Sequence, residues 1–378
     1  MKLLSIPGGS GHELAVSEHL REALKGAGIP DSAFTIDNAN KLSPAGGETG
    51  NLIVRLKGTK KGPRRMLMAH MDTVPIAVGC QPVIDGEWIR PQSSTTALGG
   101  DNRGGCAVVL TAVLEAIEQG LSYPPLTLLF TVQEEIGLRG AKSVNVSKLG
   151  NPELCFNWDG RVPATLILGA VGASNLTIRI DGIASHAGVH PELGVNALCA
   201  ASLAVTDLQQ NGWHGLVVKG KRRGTSNIGV VRGGDATNVV MPEVVLHAEC
   251  RSHDSAFREK IVSEFRKAFV RGVKGIKSAD GKSAKLTFEE EVRYEAFRID
   301  AEAECVKAAK TIAESLGLPC ETRISDGGLD ANWLFQHGLP TVTLGCGQHQ
   351  IHTVSERLNI AEYLSACQMG LGLATAAL

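Results

Sequence analysis

The sequence predicts an α/β protein in which a mixed open sheet is flanked by helices and the chain carries an inserted ferredoxin-like α+β domain. Short apolar runs alternate with helical patterns in both terminal parts of the 378-residue chain, which is typical of an α/β sheet. The middle of the chain shows the order β-α-β-β-α-β, which is complete in itself as a ferredoxin-like unit. The length also fits two domains at roughly 150 residues each.

The N-terminal part contains four apolar runs that predict strands buried on both faces. They lie at residues 51–56, 65–69, 126–132 and 154–158. Ser10 to Glu13 has the form of a capping box, which predicts a helix from that point, and a second helical pattern covers 105–118. After residue 300 the α/β pattern resumes, with strands at 321–324 and 341–344. One helical pattern ends at residue 316, a second covers 330–337, and a third begins at residue 361.

The middle part predicts the inserted domain. Its strand patterns lie at 175–181, 226–231, 244–251 and 285–294, and its helical patterns lie at 195–210 and 255–273. We therefore predict one discontinuous domain of residues 1–172 and 295–378, interrupted by an inserted domain of residues 173–294.

Composition excludes several classes of protein. Lys and Arg number 38 against 39 Asp and Glu, so the net charge of -1 gives no electrostatic basis for binding nucleic acid or a membrane surface. We find neither an apolar window long enough to span a membrane nor the apolar core of a secretion signal. The nine cysteines form no CxxC pair and are expected to be reduced. The prediction is a soluble cytoplasmic protein.

Acidic and histidine side chains follow three predicted strands. His70 and Asp72 come after 65–69, Glu134 and Glu135 after 126–132, and Asp159 after 154–158. Ligands of open α/β sheets bind at the carboxyl ends of the strands, so these side chains could meet in one crevice. Taken singly, each also fits an ordinary role as a solvated surface residue.

Two more candidates lie outside the strands. Asp101 stands in a glycine-rich turn before a helix, where it could equally be an N-cap, and His352 lies in a loop after the strand at 341–344. Histidine and carboxylate ligands without thiolates suit a hydrolytic zinc, cobalt or manganese site. A two-metal site, with ions about 3.5–4 Å apart, needs a bridging carboxylate, terminal ligands and room for water. Of the adjacent Glu134 and Glu135, one could bind metal while the other takes the proton from water.

Five segments around these residues occur in an order that resembles a known family. They are Met68-Ala69-His70-Met71-Asp72-Thr73-Val74-Pro75, Gly100-Asp101-Asn102-Arg103-Gly104-Gly105, Glu134-Glu135-Ile136-Gly137, Trp158-Asp159-Gly160 and His352-Thr353-Val354-Ser355-Glu356. Together they resemble the di-zinc exopeptidases, the family of peptidase T, carboxypeptidase G, aminoacylase and succinyl-diaminopimelate desuccinylase. The resemblance spans nearly the whole chain and is strongest to the peptidase T-like branch.

The resemblance implies a role for each residue. Asp101 would bridge two divalent metal ions, for which zinc is expected and cobalt or manganese are the alternatives. The other ligands would be His70 and Asp159 at one ion, and Glu135 and His352 at the other. Glu134 would be the general base, and Asp72 would orient His70. The resemblance also implies a cis peptide bond after Asp101.

The resemblance extends to the inserted domain, which would act as a lid and dimerisation domain. His186, in Ser185-His186-Ala187-Gly188, would reach the active site of the partner copy in a homodimer and help to hold the oxyanion. Asn238 and Arg251 would grip the substrate and its carboxylate, for which the forked guanidinium is suited.

The expected activity is hydrolysis of short peptides. In the resembled family, an aspartate at the position of Asp159 favours an aminopeptidase. An N-acyl amino-acid amidohydrolase or a carboxypeptidase is the alternative, and a non-catalytic metal-binding scaffold is a more remote one.

Overall fold

The computed structural model describes residues 1–377, and the chain divides into two compact units. The first unit contains Met1–Ala170 and Arg298–Leu378, and the second contains Val171–Phe297. The second unit is thus inserted into the sequence of the first.

A nine-stranded sheet forms the centre of the first unit. In order across the sheet its strands are Phe34–Ile36, Leu52–Leu56, Leu126–Thr131, Arg65–His70, Leu154–Trp158, Thr341–Leu344, Thr165–Ala170 and Phe297–Arg298, and Glu321–Ser325 also pairs with Thr165–Ala170. Both parallel and antiparallel pairs occur. The predicted mixed sheet is therefore confirmed, although the strands Phe34–Ile36, Thr165–Ala170 and Phe297–Arg298 were not predicted.

The four central strands, from Leu126–Thr131 to Thr341–Leu344, run parallel to one another. Every residue of Arg65–His70 is buried, because the strand has neighbours on both sides and is covered on both faces. Met66 and Met68 pack into an apolar cluster on one face. Since parallel strands end at the same edge of a sheet, the residues after these strands are brought close together.

Eight helices and a small second sheet complete the described part of the first unit. The helices are Lys2–Ser5, Leu14–Gly26, Ala39–Leu42, Gly100–Glu118, Arg139–Lys142, Glu304–Ser315, Asp330–Gln336 and Ile360–Thr375. The four-stranded sheet has the order Gln348–His349, Arg357–Asn359, Trp88–Pro91 and Pro82–Asp85. Among the described residues, we find no helix whose length and apolar character would let it cross a membrane.

The second unit is an antiparallel five-stranded sheet with two helices. The strand order is Gly215–Lys219, Arg222–Gly233, Glu243–Ser252, Gly172–Asp181 and Lys285–Tyr294, and the helices are Ala197–Gln210 and Ser255–Gly275. One face of the sheet and the helices share an apolar core that includes Ile178, Phe265 and Phe269. The predicted β-α-β-β-α-β order lacks the edge strand Gly215–Lys219. This strand was missed because its apolar run, Leu216 to Val218, is too short to indicate a strand by itself; in the structure only Val217 of its five residues is buried.

The predicted capping box at the N-terminus is wrong. The helix Leu14–Gly26 begins without a side-chain cap. The Ser10 hydroxyl donates instead to Asp72 Oδ2 at 2.6 Å, and Glu13 Oε1 accepts the backbone N–H groups of Gly11 and Gln133 at 2.8 and 3.0 Å. Both side chains are used to fix this N-terminal loop against the loops at the sheet edge.

Candidate metal centre

The strand ends bring together the side chains that the sequence singled out. His70 is the last residue of its strand and pairs with Thr131 of the neighbouring strand. Glu134 and Glu135 follow Thr131 by three and four residues, and Asp159 directly follows the strand Leu154–Trp158. The parallel arrangement therefore places these side chains at one edge of the sheet.

The first group of potential ligands is His70, Asp101 and Asp159, all of which are buried. His70 Nε2 lies 3.1 Å from Asp101 Oδ1 and 3.7 Å from Asp159 Oδ1. The ligand atoms of all three residues lie within 4.8 Å of one another. One imidazole and two carboxylates at this spacing could hold a divalent cation.

The second group is Asp101, Glu135 and His352, again with ligand atoms within 4.8 Å. His352 Nε2 lies 3.1 Å from Asp101 Oδ2 and 3.0 Å from Glu135 Oε2. The two oxygens of Asp101 thus contact two different histidines. This is the arrangement that a carboxylate bridging two cations requires.

Asp72 is completely buried and fixes the position of several site residues. Its Oδ1 accepts the backbone N–H of Glu134 at 2.9 Å, and its Oδ2 accepts that of Glu135 at 3.1 Å. His70 Nδ1 lies 3.1 Å from the Asp72 carbonyl oxygen and 3.4 Å from its Oδ1. The imidazole is therefore held at Nδ1, and Nε2 faces the carboxylates.

The turn that carries Asp101 is held by close packing at the start of its helix. The helix Gly100–Glu118 has non-helical backbone angles at Asp101 and Asn102, and the peptide bond between them is cis, as the resemblance implies. Asn102 Nδ2 donates to the Trp158 carbonyl at 2.6 Å, and Asn102 Oδ1 accepts the N–H of Gly105 at 3.0 Å. A Cβ atom at Gly105 would lie 2.2 Å from Asn102 Oδ1, so only glycine fits there.

Glu356 also holds this turn, a role that the sequence analysis missed. Its carboxylate is buried and accepts the backbone N–H of Gly99 at 2.7 Å and that of Asp101 at 2.9 Å. Burial raises the pKa of Glu356 to about 7, although the two N–H groups oppose the shift. The available signal was its place four residues after His352 in the same motif.

Burial and crowding of carboxylates dominate the electrostatics of the site. Burial raises the pKa of Glu135 to about 7 and that of Glu134 well above its ordinary value. Burial would also raise the pKa of Asp101, but hydrogen bonds with His352 and His70 outweigh it and lower that pKa. Several carboxylates crowded into a buried site repel one another unless cations lie among them, so the donor set fits divalent metal ions.

Asp330 is a second acidic residue that the sequence analysis missed. It is 1% exposed, begins the helix Asp330–Gln336 and accepts a hydrogen bond from the Thr131 hydroxyl through Oδ2. Its Oδ1 is buried without a hydrogen-bond partner. Burial raises its pKa to about 7, and its charge is among the causes that raise the pKa of Glu134.

The remaining predicted site residues lie in the second unit. His186 and Asn238 are exposed neighbours: the Ala187 N–H donates to the Asn238 carbonyl at 2.9 Å, and His186 forms an antiparallel bridge with Val239. His186 Nδ1 accepts the Gly188 N–H at 3.2 Å, which leaves Nε2 free to act elsewhere.

Arg251 lies on the strand Glu243–Ser252 and is paired with Glu249. Its Nε and Nη2 donate to the two oxygens of that carboxylate at 3.1 and 2.9 Å. The guanidinium therefore keeps Nη1 for a further acceptor.

Comparison with known proteins supports the resemblance described above. The model of peptidase family M20/M25/M40 matches residues 66–376. The uncharacterized protein YqjE of Bacillus subtilis (strain 168) is 31% identical over 370 residues, covering 98% of this chain and 94% of that protein. A tripeptidase of Staphylococcus aureus has a TM-score of 0.88 at 30% identity, over 99% of this chain and 95% of the other. Aminopeptidase PepT of Bacillus cereus has a TM-score of 0.85 at 28% identity, over 99% and 96%.

The chain therefore belongs to peptidase family M20/M25/M40. This membership confirms the resemblance found in the five motifs and the prediction that the protein is a peptidase. The groups of histidine and carboxylate side chains lie where the sequence predicted metal ligands.

Proposed function

We propose that the protein is a two-metal aminopeptidase that cleaves short peptides. The observation that carries this proposal is the position of the Asp101 carboxylate. Its Oδ1 lies 3.1 Å from His70 Nε2, and its Oδ2 lies 3.1 Å from His352 Nε2. The names of the two structural relatives, a tripeptidase and an aminopeptidase, support the substrate class.

Two divalent cations fit the ligand groups described above. Asp101 would be shared, with His70 and Asp159 as the ligands of one ion and Glu135 and His352 as those of the other. Histidine and carboxylate donors favour zinc, with cobalt or manganese as alternatives. When bound, the ions would polarise the scissile carbonyl and acidify water.

Glu134 is the proposed general base. It lies with His70 and Glu135 in a third group of potential ligands, so it borders the metal centre. Asp72 fixes its backbone N–H, and its carboxylate would take the proton from the attacking water and pass it to the leaving amine. The contact of Glu135 Oε2 with His352 Nε2 at 3.0 Å supports Glu134, rather than Glu135, as the proposed base.

The inserted unit supplies the proposed contacts to the substrate. His186 would hold the developing oxyanion at the metal centre of the partner copy, while Asn238 and Arg251 would bind the substrate and its carboxylate. The close backbone pairing of the segments that carry His186 and Asn238 supports a joint role for these two residues.

A homodimer through the inserted unit follows from that proposal. Its support is a set of exposed apolar side chains on this unit: Leu198, Leu203, Leu216, Val218 and Val231. Light scattering should give twice the mass of the 378-residue chain, and Leu203→Glu should shift the equilibrium toward the monomer. We also propose a cytoplasmic location, supported by nine cysteines that are all free.

The decisive experiment compares a tripeptide that has a free N-terminus with its N-acetylated twin, each with and without a chelator. An aminopeptidase should cleave only the free peptide, lose activity with chelator and regain it with zinc, cobalt or manganese. Preference for the acetylated twin would indicate an acylase or carboxypeptidase. Absence of cleavage with two bound metal ions would indicate the scaffold alternative.

The role of Glu134 has its own test. Glu134→Gln should keep both metal ions but lose nearly all turnover, because the amide cannot accept the proton of water. The same substitution at Glu118, which is exposed at the far end of the helix that carries Asp101, is the matched control. A Glu134→Gln enzyme with a near-normal rate that remains sensitive to chelator would contradict the assignment.

A further inference from the structure

A cavity of about 590 Å³ lies beside the proposed metal centre, within the first unit. Its walls are the N-terminal loop around Gly8, the segment that contains Val74 and Val78, and the pair Glu135 and Ile136. Glu135 belongs to the second ligand group, so the cavity adjoins the position of the reacting bond. The volume is in the range of pockets that hold small ligands.

The walls of this cavity are mainly apolar. Val74, Pro75, Val78 and Ile136 supply four branched or cyclic apolar side chains. Val78 is 44% exposed and Ile136 is 37% exposed, so apolar surface is left facing water beside a polar site. Covering such surface with an apolar group is favourable.

The charged residues of the lining are already engaged. His12 Nδ1 lies 2.9 Å from Glu48 Oε1, so these two side chains already have each other as partners. The third charged residue, Glu135, faces His352 at 3.0 Å. A charged side chain entering the cavity would lose hydration and would have to compete with these existing contacts for a partner, which is costly.

The wall formed by the N-terminal loop is held in place before any ligand binds. The Gly8 carbonyl accepts hydrogen bonds from Arg103 Nη2 at 3.0 Å and from the Thr73 N–H at 3.3 Å. Gly9 forms a parallel bridge with Thr73, and the Ser10 hydroxyl donates to Asp72. The loop is therefore fixed to the segment that follows His70, and its distance from the metal ligands is set by the fold.

We propose that this cavity is a specificity pocket for an uncharged, apolar side chain of a residue that flanks the scissile bond. The proposal rests on the proposed function, because the pocket is defined relative to the metal centre. It makes peptides with a leucine-like side chain at that position the preferred substrates, ahead of those with glycine, aspartate or lysine.

The test compares kcat/KM for triglycine with kcat/KM for tripeptides that carry Leu, Asp or Lys at the first or second position. We expect Leu to exceed both Gly and the charged residues by about 10- to 100-fold at one of the two positions, as a hydrophobic pocket discriminates by such factors. Val78→Asp places a carboxylate in the wall and should lower the Leu-to-Gly ratio by about 10- to 100-fold.

A second variant and a control make the test specific. Gly9→Ala would place its Cβ 3.5 Å from Val78 Cγ2, an ordinary contact, and should narrow the pocket and lower the Leu-to-Gly ratio. Ile84→Asp puts the same charge on a 65% exposed residue outside the lining and should leave the ratio unchanged.

Two outcomes would overturn the pocket: a wild-type Leu-to-Gly ratio near one, or a ratio unaffected by Val78→Asp. Both ratios can be measured only if the wild-type enzyme cleaves the peptides. Failure of the wild-type, metal-loaded protein to cleave any of them would instead contradict the proposed function, so the two failures are distinguishable.

Discussion

Replacing Glu356 by glutamine tests whether a residue that is no metal ligand determines metal affinity. The Glu356 carboxylate accepts two backbone N–H groups, from Gly99 at 2.7 Å and from Asp101 at 2.9 Å. Glutamine keeps one acceptor oxygen but turns an NH₂ group toward the other N–H. The turn that positions Asp101 therefore loses one charge-assisted hydrogen bond and gains a clash of two donors.

The magnitude follows from the lost contact. A hydrogen bond to a charged group contributes about 1.5–3 kcal/mol. If much of this energy positions Asp101, metal affinity should fall by about 10- to 100-fold, in line with the effect of residues that orient ligands. Because burial raises the pKa of Glu356 to about 7, the difference from wild type should grow as the pH rises through that value and the carboxyl ionises.

Competition with a chelator of known affinity, read out by elemental analysis after dialysis, measures the effect without requiring activity. Glu118→Gln is the control, because Glu118 is exposed at the opposite end of the same helix. A Glu356→Gln protein that binds metal within about twofold of wild type, against the expected 10- to 100-fold loss, would refute the reasoning. Equal weakening in the Glu118→Gln control would do the same.

Three further predictions concern the metal centre. Asp101→Asn should reduce the metal content below two ions per chain, since Asp101 contacts both ligand groups; elemental analysis that still finds two tightly bound ions would contradict a bridging role. Asp72→Asn should weaken metal binding by about 10- to 100-fold, because the amide cannot accept both backbone N–H groups and hold His70; unchanged chelator competition would argue against this. The metal-free protein should become less stable as the pH rises from about 5 to about 9, because Asp330 and His352 bind protons more tightly in the folded state, as do Glu134, Glu135 and Glu356. Burial raises the pKa of Asp330 to about 7, and hydrogen bonds with Asp101 and Glu135 raise that of His352 to about 10, so a Tm that increases over this range would contradict the prediction.

Local sequence was sufficient to predict most of the sheet. The runs at 65–69 and 154–158 are apolar except for Arg65 and Asn157, which is typical of strands covered on both faces, and they lie within the observed strands Arg65–His70 and Leu154–Trp158. The edge strand Gly215–Lys219 escaped prediction because its apolar run, Leu216 to Val218, is only three residues long, shorter than the run of about 4–8 residues that indicates a strand.

The same local reasoning failed at the N-terminal loop. Ser10 and Glu13 have the spacing of a capping box, yet their side chains bind partners that are distant in the sequence. A capping pattern offers a side chain one hydrogen-bond partner in the nearby backbone. A buried donor or acceptor from another loop can take the place of that local partner. Sequence spacing carries no information about that competitor.

The sequence by itself determined the class of fold, the positions of most strands of the large sheet and the residue types that could bind metal. Those features depend on local periodicity and on residues at strand ends, so they can be read over short windows. Only the tertiary structure decided that Asp101 faces both His70 and His352, that Glu356 holds the turn of Asp101, and that Asp330 is buried against Thr131. The physical reason is that these contacts join segments far apart in the chain, and parallel strand pairing, rather than sequence distance, sets which side chains meet at the edge of the sheet.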